Sequence, residues 1–451
     1  QKVKRELNHL DYDDLLIYWY KMMKNETVGE RISSRFKYIL VDEYHDTSKL
    51  QSKILYLLAK KYRNIMVVGD DAQSIYSFRG ATVTNIIEFP KIYPDAKIFY
   101  LDINYRSTPE ILNFANSVIS HNKVQFPKNL ISVRKNGLKP VIIKCRNIKE
   151  EAIFVAQRIN RLIEQGIEPY DIGVLFRSRY QAAELEIELS KLRIPYVIRG
   201  GLRFFEQAHI KDIIAFYRII ENFKDLLSWK RIILMVEGIG KKGMERIIKI
   251  VSESKNLDEF KKELSNIKLS KKAINGIEKQ IHIIEELKKI SIPEGIELIL
   301  NSGYKDYLYK KYKNDIERIE DINALKEIGS LYSDLSEFLT ESALQEYAKG
   351  EGPNVKNAVI LSTIHQAKGL EWRIVFIIGV CNNHFPHSYS LKDPAALEEE
   401  RRIFYVAITR AKEDLYITHY SFDHFRYMPV KKSIFLEEVS KNLYEEWDMT
   451  F

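Results

Sequence analysis

The sequence has little cysteine and no long apolar run. Only two cysteines occur in 451 residues, Cys145 and Cys381, and each lies in or beside an apolar stretch. This usage predicts buried thiols in a reducing compartment, and it argues against a disulfide framework or a zinc site. The longest apolar runs, such as 375–381, are too short to span a bilayer, and no signal peptide is visible. We therefore expect a cytoplasmic protein with no membrane partner.

The sequence also lacks a phosphate-binding P-loop. No Gly-x-x-x-x-Gly-Lys-Ser/Thr segment occurs anywhere in it. Such a segment cradles the β- and γ-phosphates and supplies a hydroxyl to Mg²⁺. The first residue is Gln, and the opening segment already has a helical pattern. We therefore expect the chain to begin within a longer protein, with the missing part upstream or on another polypeptide.

The composition sets the broad class of the protein. A chain of 451 residues is too long for one core and predicts two to four domains. The net charge of +8 fits a polyanionic partner, but a lysine-rich soluble surface explains it equally well. The 27 Tyr and 21 Phe residues suit base stacking, although most of them must lie in the core.

Apolar runs and helical patterns alternate along most of the chain. This alternation is typical of β-α-β units with a parallel sheet. Helical periodicity alone continues from about 207 to 350, which predicts an all-helical insertion splitting the second of two α/β lobes. A helix is predicted at 397–412. Strands are predicted at 38–41, 65–69, 97–101, 140–145, 172–177, 196–198, 358–363, 373–378 and 415–419.

Acidic side chains follow two of these predicted strands. Asp42 and Glu43 end the first strand, and Asp70, Asp71 and Gln73 follow the second. Because parallel strands deliver their carboxyl ends to one edge of a sheet, a shared nucleotide site is favoured over a capping Asp beside a surface Glu. Gln73 carries both a donor and an acceptor, so it can sense a γ-phosphate and orient water.

Arginines lie on a helical pattern at 398–410, some 350 residues downstream. Phosphoryl transfer to water needs both sets of groups. Carboxylates handle Mg²⁺ and the attacking water, and guanidiniums stabilise the charge that spreads over the γ-phosphate oxygens.

Two aromatic segments are candidates for stacking. Tyr76 and Phe78 stand two residues apart just past the second acid group, where stacking on a base is worth about 1–3 kcal/mol. On this segment alone, a core position for both rings is the favoured interpretation. Tyr105 and Arg106 suit stacking on adenine and contact with a phosphate, although a surface loop explains 104–110 equally well.

Two further segments point to polyanions. Glu371 can hold a ribose hydroxyl, and His365 lies near Lys368, although a lone His is more often structural. The segment 238–243, Gly-Ile-Gly-Lys-Lys-Gly, opens a helical pattern and exposes backbone N–H groups to an anion. It resembles a helix-hairpin-helix phosphate clamp for duplex DNA, and a plain turn between helices is the alternative.

Taken in order, these segments resemble the superfamily 1 DNA helicases of the UvrD/PcrA/Rep type. The resemblance covers nearly the whole chain. It implies an α/β fold of two RecA-like parallel-sheet lobes, the first incomplete, with an all-helical insertion in the second. The implied domains are 1–106, 107–206, 207–355 and 356–451. The matching segments are 12–16, 41–47, 69–81, 104–107, 202–206, 363–371 and 399–411.

The resemblance also implies ATP and Mg²⁺ as cofactors and a role for each matched residue. In the nucleotide site, Asp42 ligates Mg²⁺, Glu43 is the general base, Gln73 reads the γ-phosphate, Tyr105 stacks on adenine, Arg106 contacts the γ-phosphate, Glu371 binds ribose, and Arg410 is the arginine finger. The single-strand track is lined by Tyr76, Phe78, His365 and His387. The candidate duplex contacts are Gly238, Gly240, Lys241 and Lys242.

The implied activity of the intact protein is ATP-driven 3′→5′ translocation on single-stranded DNA. It would separate duplexes at a junction during repair or replication restart, with repair accessory proteins as further partners. Two departures from the family pattern stand out: His45 replaces a usual Gln, and Phe78 replaces a frequent Trp. Because the Walker A region would lie upstream, this chain alone is expected to hydrolyse ATP hardly at all.

Two alternatives remain open. One is the helicase subunit of a recombination nuclease of the AddA or RecB type, although the chain ends about 30 residues after the last predicted strand. The other is a non-catalytic DNA-binding module or assembly partner that kept these segments but lost its P-loop.

Overall fold

The structure is a computed structural model. It describes residues 4, 10–199, 204–264, 267, 269–312, 315–330, 332, 334–347, 357–423 and 428–450. The predicted entry segment at 202–206 therefore lies partly outside the described residues, which begin again with the short turn Phe204–Glu206. Among the described residues, no helix is long and apolar enough to cross a membrane.

The chain divides into two compact units. The first comprises residues 1–142, 364–417 and 432–447, and the second comprises 143–363, 418–431 and 448–451. The predicted domain boundaries at 106, 206 and 355 follow the expected lobes rather than these units, and they stay a prediction.

The first unit opens with a β-α-β arrangement. Strand Ile39–Val41 pairs in parallel with strand Ile65–Val67, with Ile39 opposite Ile65. Helix Lys49–Ala59 connects them and begins with a capping box between Ser48 and Gln51. These elements confirm the first two predicted strands. They are preceded by the helices Tyr12–Lys24 and Glu26–Ser33 and followed by the short helices Thr84–Ile87 and Phe89–Ile92.

The predicted strand at 97–101 is wrong. The structure has no strand there, and the next strand is Ile103–Asn104, which pairs in parallel with Ile131–Ser132. A strand requires a neighbour to satisfy its backbone N–H and C=O groups. No such neighbour lies beside 97–101 among the described residues, and Leu101 is 85% exposed.

The later part of the first unit carries the arginine-rich helix. This helix, Pro394–Ile408, packs against helix Pro109–Ile119. It ends four residues earlier than predicted because strand Ala411–Tyr420 begins almost immediately, pairing in parallel with Trp372–Ile377. Arg410 therefore lies in the connection rather than on the helix. The remaining elements are the helices Ile364–Ala367 and Ile434–Glu437 and the strand Glu445–Asp448.

The second unit contains three described strands that pair in parallel. Strand Val359–Thr363 pairs with both Ile172–Phe176 and Tyr196–Arg199. Ile172–Phe176 is buried throughout, as parallel strands are when both faces are covered. Helices Ile148–Glu164 and Ala183–Lys191 accompany them, and strand Val141–Cys145 precedes them. Phe422–Asp423 pairs with Met428–Pro429 in antiparallel fashion. The mixed α/β class is confirmed.

The region from 208 to 347 has no strand among its described residues, which confirms the predicted all-helical character. Its core contains large side chains such as Phe216, Trp229, Phe260 and Phe338, all fully buried. The helices are Ala208–Glu221, Leu226–Ile233, Lys241–Glu253, Leu257–Leu264, Lys271–Leu287, Ile292–Ile299, Lys305–Lys311, Asp315–Ser330 and Leu335–Tyr347.

Both cysteines are free and fully buried, as predicted. Burial raises the pKa of the Cys145 thiol, with nearby carboxylates adding to the effect. A thiol held in its protonated form is unreactive. Cys145 therefore has a packing role.

Candidate nucleotide and nucleic-acid site

The first acid pair stands directly after strand Ile39–Val41. Asp42 and Glu43 are both exposed, and the Glu43 N–H donates to Asp42 Oδ1 over 2.8 Å. Glu43 adopts a left-handed backbone conformation with φ 49°. Such a conformation costs a residue with a side chain about 1–3 kcal/mol and occurs most often at functional sites.

His45 joins the two acid segments. Its ring is fully buried, and Nδ1 accepts the backbone N–H of Asp70 over 3.0 Å. Gly69 allows this close approach, because a Cβ there would lie 3.1 Å from His45 Nδ1 and 2.8 Å from Ile86 Cδ1. The structure therefore brings the two predicted acid groups together.

Lys368 reaches into this cluster. Its ammonium lies 2.6 Å from Asp46 Oδ2, 2.7 Å from His45 Nε2 and 4.0 Å from Glu43 Oε2. It also donates to the backbone oxygen of Gln73 over 3.0 Å. Because a neutral imidazole accepts at one nitrogen only, the Lys368 ammonium and the Asp70 amide compete for the His45 lone pair.

Burial changes the acid–base behaviour of this cluster. Although the Glu43 side chain is exposed, its partial desolvation raises its pKa, and the Lys368 charge opposes this change. Burial, followed by the Lys368 charge, lowers the pKa of His45 to about 4. His45 is therefore neutral at pH 7. A carboxyl group with a raised pKa is better matched to accepting a proton from water.

Two groups of possible cation ligands in this region differ in their surroundings. Glu43, His45 and Asp46 each offer a ligand atom within 4.8 Å of one another, but the Lys368 ammonium already lies among these atoms. Asp42 is exposed, and no lysine or arginine in the described part of the chain pairs with it. Carboxylate oxygens of this kind are what Mg²⁺ prefers, so Asp42 fits the predicted metal-ligand role.

Gln73 stands beside the second acid group. Its Nε2 donates to Asp70 Oδ2 over 2.7 Å, and the same oxygen lies 2.5 Å from the ammonium of Lys128. Burial raises the pKa of Asp71, and the negative charge of Asp70 adds to this. Sequence reasoning missed Lys128, because a single lysine in a connecting segment carries no pattern of its own.

Arg106 and Glu371 form an ion pair. Arg106 Nε lies 2.5 Å from Glu371 Oε2, and Lys412 binds the other carboxylate oxygen over 2.9 Å. Lys412 and Arg106 together hold the pKa of Glu371 at about 2. Tyr105, next to Arg106, leaves its ring largely exposed. The structure thus brings together the candidate γ-phosphate and ribose ligands, with an open aromatic face beside them.

Arg410 is buried, and its guanidinium donates to protein oxygens. The acceptors are the backbone oxygens of Val406 at 3.0 Å and Leu370 at 3.1 Å, and Thr409 Oγ1 at 3.1 Å. Burial lowers the pKa of Arg410 to about 10, and the nearby positive charge of Arg106 contributes. Two cations that disfavour each other's charge create a place where an anion is stabilised.

The arginines on helix Pro394–Ile408 itself have structural partners. Arg402 Nε donates to the Ser74 backbone oxygen over 2.9 Å, and Arg401 binds Glu438 over 2.8 Å. Both side chains are buried. Of the arginines predicted to face a phosphate on this segment, only Arg410 lies in the electrostatic neighbourhood of Arg106 and Glu371.

Tyr76, Phe78 and His365 form an aromatic cluster. The Phe78 and His365 ring centres are 5.4 Å apart at right angles, and the Tyr76 hydroxyl donates to the His365 backbone oxygen over 2.9 Å. Phe78 is 67% exposed, so the core interpretation is wrong for this residue. The Arg79 guanidinium lies 5.4 Å from the Phe78 ring centre and adds positive charge beside the exposed face.

His387 lies in a different setting from the other predicted track residues. It is buried, and its ring stacks on Tyr389 with centres 5.5 Å apart and planes 15° apart. Tyr389 is exposed and presents the open face of this stacked pair. Sequence reasoning missed Tyr389, because exposure cannot be read from a short irregular segment.

The glycine–lysine turn, defined as residues 238–242, belongs to the second unit. Gly238 has φ +88°, and Gly240 stands at the N-cap of helix Lys241–Glu253. A Cβ at either glycine would meet nothing within 4 Å, and both lysines are exposed. Ile239, which stands between the two glycines, is buried and anchors the turn. This geometry suits a phosphate clamp and a plain turn alike.

Acids and a glutamine thus follow the parallel strands Ile39–Val41 and Ile65–Val67, and Arg106 and Arg410 lie close enough to influence each other's charge. The chain belongs to the UvrD-like helicase family. The model of the UvrD-like helicase C-terminal domain matches residues 99–421, and that of the UvrD/REP helicase N-terminal domain matches residues 1–94. The resemblance seen in the sequence is thereby confirmed.

Among curated proteins, the chain is similar to ATP-dependent DNA helicases named PcrA. It is 37% identical to PcrA of Staphylococcus aureus (strain Mu50) over 460 residues, covering 97% of this chain and 62% of that protein. It is 38% identical to PcrA of Staphylococcus epidermidis (strain RP62A) over 431 residues, covering 91% of this chain and 59% of that protein. The chain thus spans about three fifths of the length of these relatives.

Proposed function

We propose that this chain is the larger part of an ATP-dependent DNA helicase that moves 3′→5′ along single-stranded DNA. The observation that carries the proposal is the cluster linked by Lys368. That side chain contacts the acid segment containing Glu43 and belongs to the same short segment as His365, which lies against exposed Phe78. One segment thus touches both the candidate hydrolytic site and a surface suited to bases.

Each candidate residue has a distinct task in ATP hydrolysis. Glu43, with its raised pKa, accepts the proton of the attacking water. Gln73 orients that water or reads the γ-phosphate. Tyr105 offers its exposed ring to adenine. Glu371 holds the ribose, and Arg106, now its ion-pair partner, turns to the γ-phosphate.

Asp42 is the residue that would hold Mg²⁺, which neutralises phosphate charge when bound. Arg410 stabilises the charge that develops on the γ-phosphate. To do so its guanidinium exchanges carbonyl contacts, including that to Leu370, for phosphate oxygens. Charge-assisted bonds to phosphate are stronger than bonds to neutral carbonyls, so this exchange favours the bound state.

Single-stranded DNA would stack on the cluster of Tyr76, Phe78 and His365, and the paired rings of His387 and Tyr389 would offer a second place for a base. A base that shifts His365 would shift the segment that holds Lys368, and hence the charge beside Glu43. This linkage would allow the bound strand to stimulate hydrolysis. The glycine–lysine turn at 238–242 would hold the duplex at a junction.

The rest of the ATP site is expected to come from a portion that carries the Walker A segment. The two-stranded sheet leaves Leu40 78% exposed and Met66 58% exposed. Parallel sheets are covered on both faces in folded proteins, so further chain is expected to pack here. The 451 residues alone are expected to hydrolyse ATP hardly at all. The intact protein is expected to act in the cytoplasm, in repair or replication restart with accessory proteins.

The decisive experiment is an ATPase assay with and without single-stranded DNA, performed on this chain and on the intact protein. We expect DNA-stimulated hydrolysis by the intact protein only, and displacement of a strand from a 3′-tailed duplex but not from a 5′-tailed one. An intact protein that binds DNA without hydrolysing ATP would support the non-catalytic module instead. Degradation of the DNA would support a recombination-nuclease subunit.

A further inference from the structure

Lys128 lies in none of the segments to which the sequence assigns chemistry. It belongs to the connection between helix Pro109–Ile119 and strand Ile131–Ser132. Its side chain is only 16% exposed, which is unusual for a lysine. A lysine is buried to this extent when its charge has a partner.

The partner is Asp70. The Lys128 ammonium lies 2.5 Å from Asp70 Oδ2. Burial raises the pKa of Asp70, but the Lys128 charge and hydrogen bond outweigh burial, and the net shift is downward. Burial lowers the pKa of Lys128, and Tyr405 and Asp70 reverse this, so that its pKa is raised. Both groups are therefore held in their charged forms.

The charged form of Asp70 determines the orientation of Gln73. Asp70 Oδ2 accepts Nε2 of Gln73 over 2.7 Å, while Oδ1 accepts the Ala72 N–H over 3.0 Å. An ionised carboxylate can only accept hydrogen bonds, so the NH₂ end of the Gln73 amide must face it. The amide oxygen of Gln73 then faces away from Asp70 as an acceptor.

Lys128 also contacts the arginine-rich helix. Its ammonium lies 5.2 Å from the ring centre of Tyr405, which belongs to helix Pro394–Ile408. Arg410 follows two residues after that helix ends, and the charge of Asp70 acts on it. One side chain thus connects the acid that orients Gln73 with the helix that leads to the candidate arginine finger.

We propose that Lys128 is a positioning residue for ATP hydrolysis: it keeps Asp70 ionised and in place, so that Gln73 presents its amide in one orientation. This inference rests on the proposed ATPase function. Without the lysine, the half-buried Asp70 carboxylate either takes up a proton or moves toward water. A protonated carboxyl can donate as well as accept, and a displaced carboxylate no longer reaches Nε2, so in both cases the Gln73 amide is no longer held in one orientation.

The test uses the intact protein with Lys128→Met and Lys128→Arg, measured as ATP hydrolysis at saturating single-stranded DNA. Lys128→Met is expected to lower kcat about 10- to 100-fold and to change KM for ATP by no more than a few-fold, because misplacement of an orienting group acts on the reaction rather than on binding. Lys128→Arg keeps the positive charge and is expected to recover most of the loss. Lys123→Met is the matched control, because Lys123 is exposed in the same connection and its backbone N–H, which the substitution keeps, donates to Glu398 Oε1.

A double-mutant comparison separates positioning from a general structural role. Asp70→Asn keeps an acceptor for Gln73 but removes the charge that needs Lys128. Adding Lys128→Met to Asp70→Asn is therefore expected to cost less than threefold in kcat. A loss as large as in the wild-type background would mean that Lys128 acts elsewhere and would overturn the inference. The thermal midpoint and the affinity for single-stranded DNA, measured on each variant, detect misfolding.

The outcomes also separate this inference from the proposed function. If the wild-type protein shows no DNA-stimulated hydrolysis, the proposed function fails and the role of Lys128 fails with it. If the wild type is active and Lys128→Met has a wild-type kcat, only the role of Lys128 is withdrawn.

Discussion

The acid cluster around Lys368 and the glycine–lysine turn both carry positive charge suited to phosphates, but they hold it in opposite ways. In the cluster, the ammonium contacts several protein groups and is almost fully buried. In the turn, Lys241 and Lys242 are exposed beside glycines with open space around them. A change in the cluster therefore acts through its neighbours, whereas a change in the turn would act only on a ligand that binds there.

The largest effect is expected for Glu43→Gln in the intact protein. Removing the proton acceptor should lower ATP turnover at least about 100-fold. Affinity for single-stranded DNA should stay within a few-fold, since the ring contacts of the aromatic cluster join Tyr76, Phe78 and His365 and do not involve the Glu43 carboxylate. The measurement is steady-state hydrolysis combined with a fluorescence binding titration. Normal turnover would refute the role of Glu43 as the base.

Lys368→Met tests whether the cluster acts as one electrostatic unit. The Lys368 charge lowers the pKa of Glu43 against the effect of burial, so its removal should raise that pKa further. A base must be deprotonated to work, so the acidic limb of the kcat/KM profile should move to higher pH. The loss of rate should be largest at acidic pH and should shrink as the pH rises to where Glu43 is deprotonated in both proteins. If the acidic limb of the kcat/KM profile lies at the same pH in Lys368→Met and in the wild type, Lys368 does not control the pKa of the base.

His45→Gln tests the departure from the family pattern. The pKa of His45 is about 4 in the folded chain and near 6.5 when unfolded, so the unfolded chain binds more protons between these values. The stability that neutral His45 provides is complete above about pH 6.5 and is lost as the pH falls toward 4. Relative to His45→Gln, the wild type should lose about 2 kcal/mol of unfolding free energy between pH 7.5 and pH 5.

Urea unfolding at both pH values measures the stability difference for His45→Gln. His121→Gln serves as the control, because His121 is exposed. Equal pH dependence in wild type and His45→Gln would show that His45 does not titrate as a buried neutral ring.

The smallest effect is expected at the glycine–lysine turn. Lys241→Ala combined with Lys242→Ala should weaken binding to a duplex junction and make its salt dependence shallower by about two units of slope, one for each lost phosphate contact. Stability should change little, because both side chains are exposed. Lys249→Ala, farther along the same helix, is the control. An unchanged slope would assign 238–242 to a simple turn.

The sequence predicts most of the architecture because apolar runs mark strands well. Ile172–Phe176 is buried on both faces and was readily recognised. The segment 97–101 has a similar apolar character, but no strand lies beside it among the described residues. The apolar pattern therefore predicts a strand there that the structure does not contain. The arginine-rich helix ends earlier than predicted because Ala411 already belongs to the next strand. The pairing that forms this strand involves a distant segment, so the local sequence pattern does not reveal it.

The candidate site was only partly predictable for a related reason. Acids at strand ends follow from topology, so the sequence predicts that Glu43 and Gln73 lie at one edge of a sheet. The partners that set their chemistry come from distant segments. Lys368 contacts Asp46 from more than 300 residues away. Lys128 contacts Asp70 from the connection before strand Ile131–Ser132, which carries no recognisable motif. Such contacts depend on tertiary packing, which a single sequence does not display.

The short parallel pair formed by Ile39–Val41 and Ile65–Val67 has a practical consequence for biochemistry. Strand edges with free backbone groups, next to bare apolar side chains such as Leu40, readily recruit copies of themselves. A preparation of these 451 residues alone should accordingly form aggregates as its concentration rises. Replacing Leu40 and Met66 with lysine would give a soluble version suited to crystallisation or NMR.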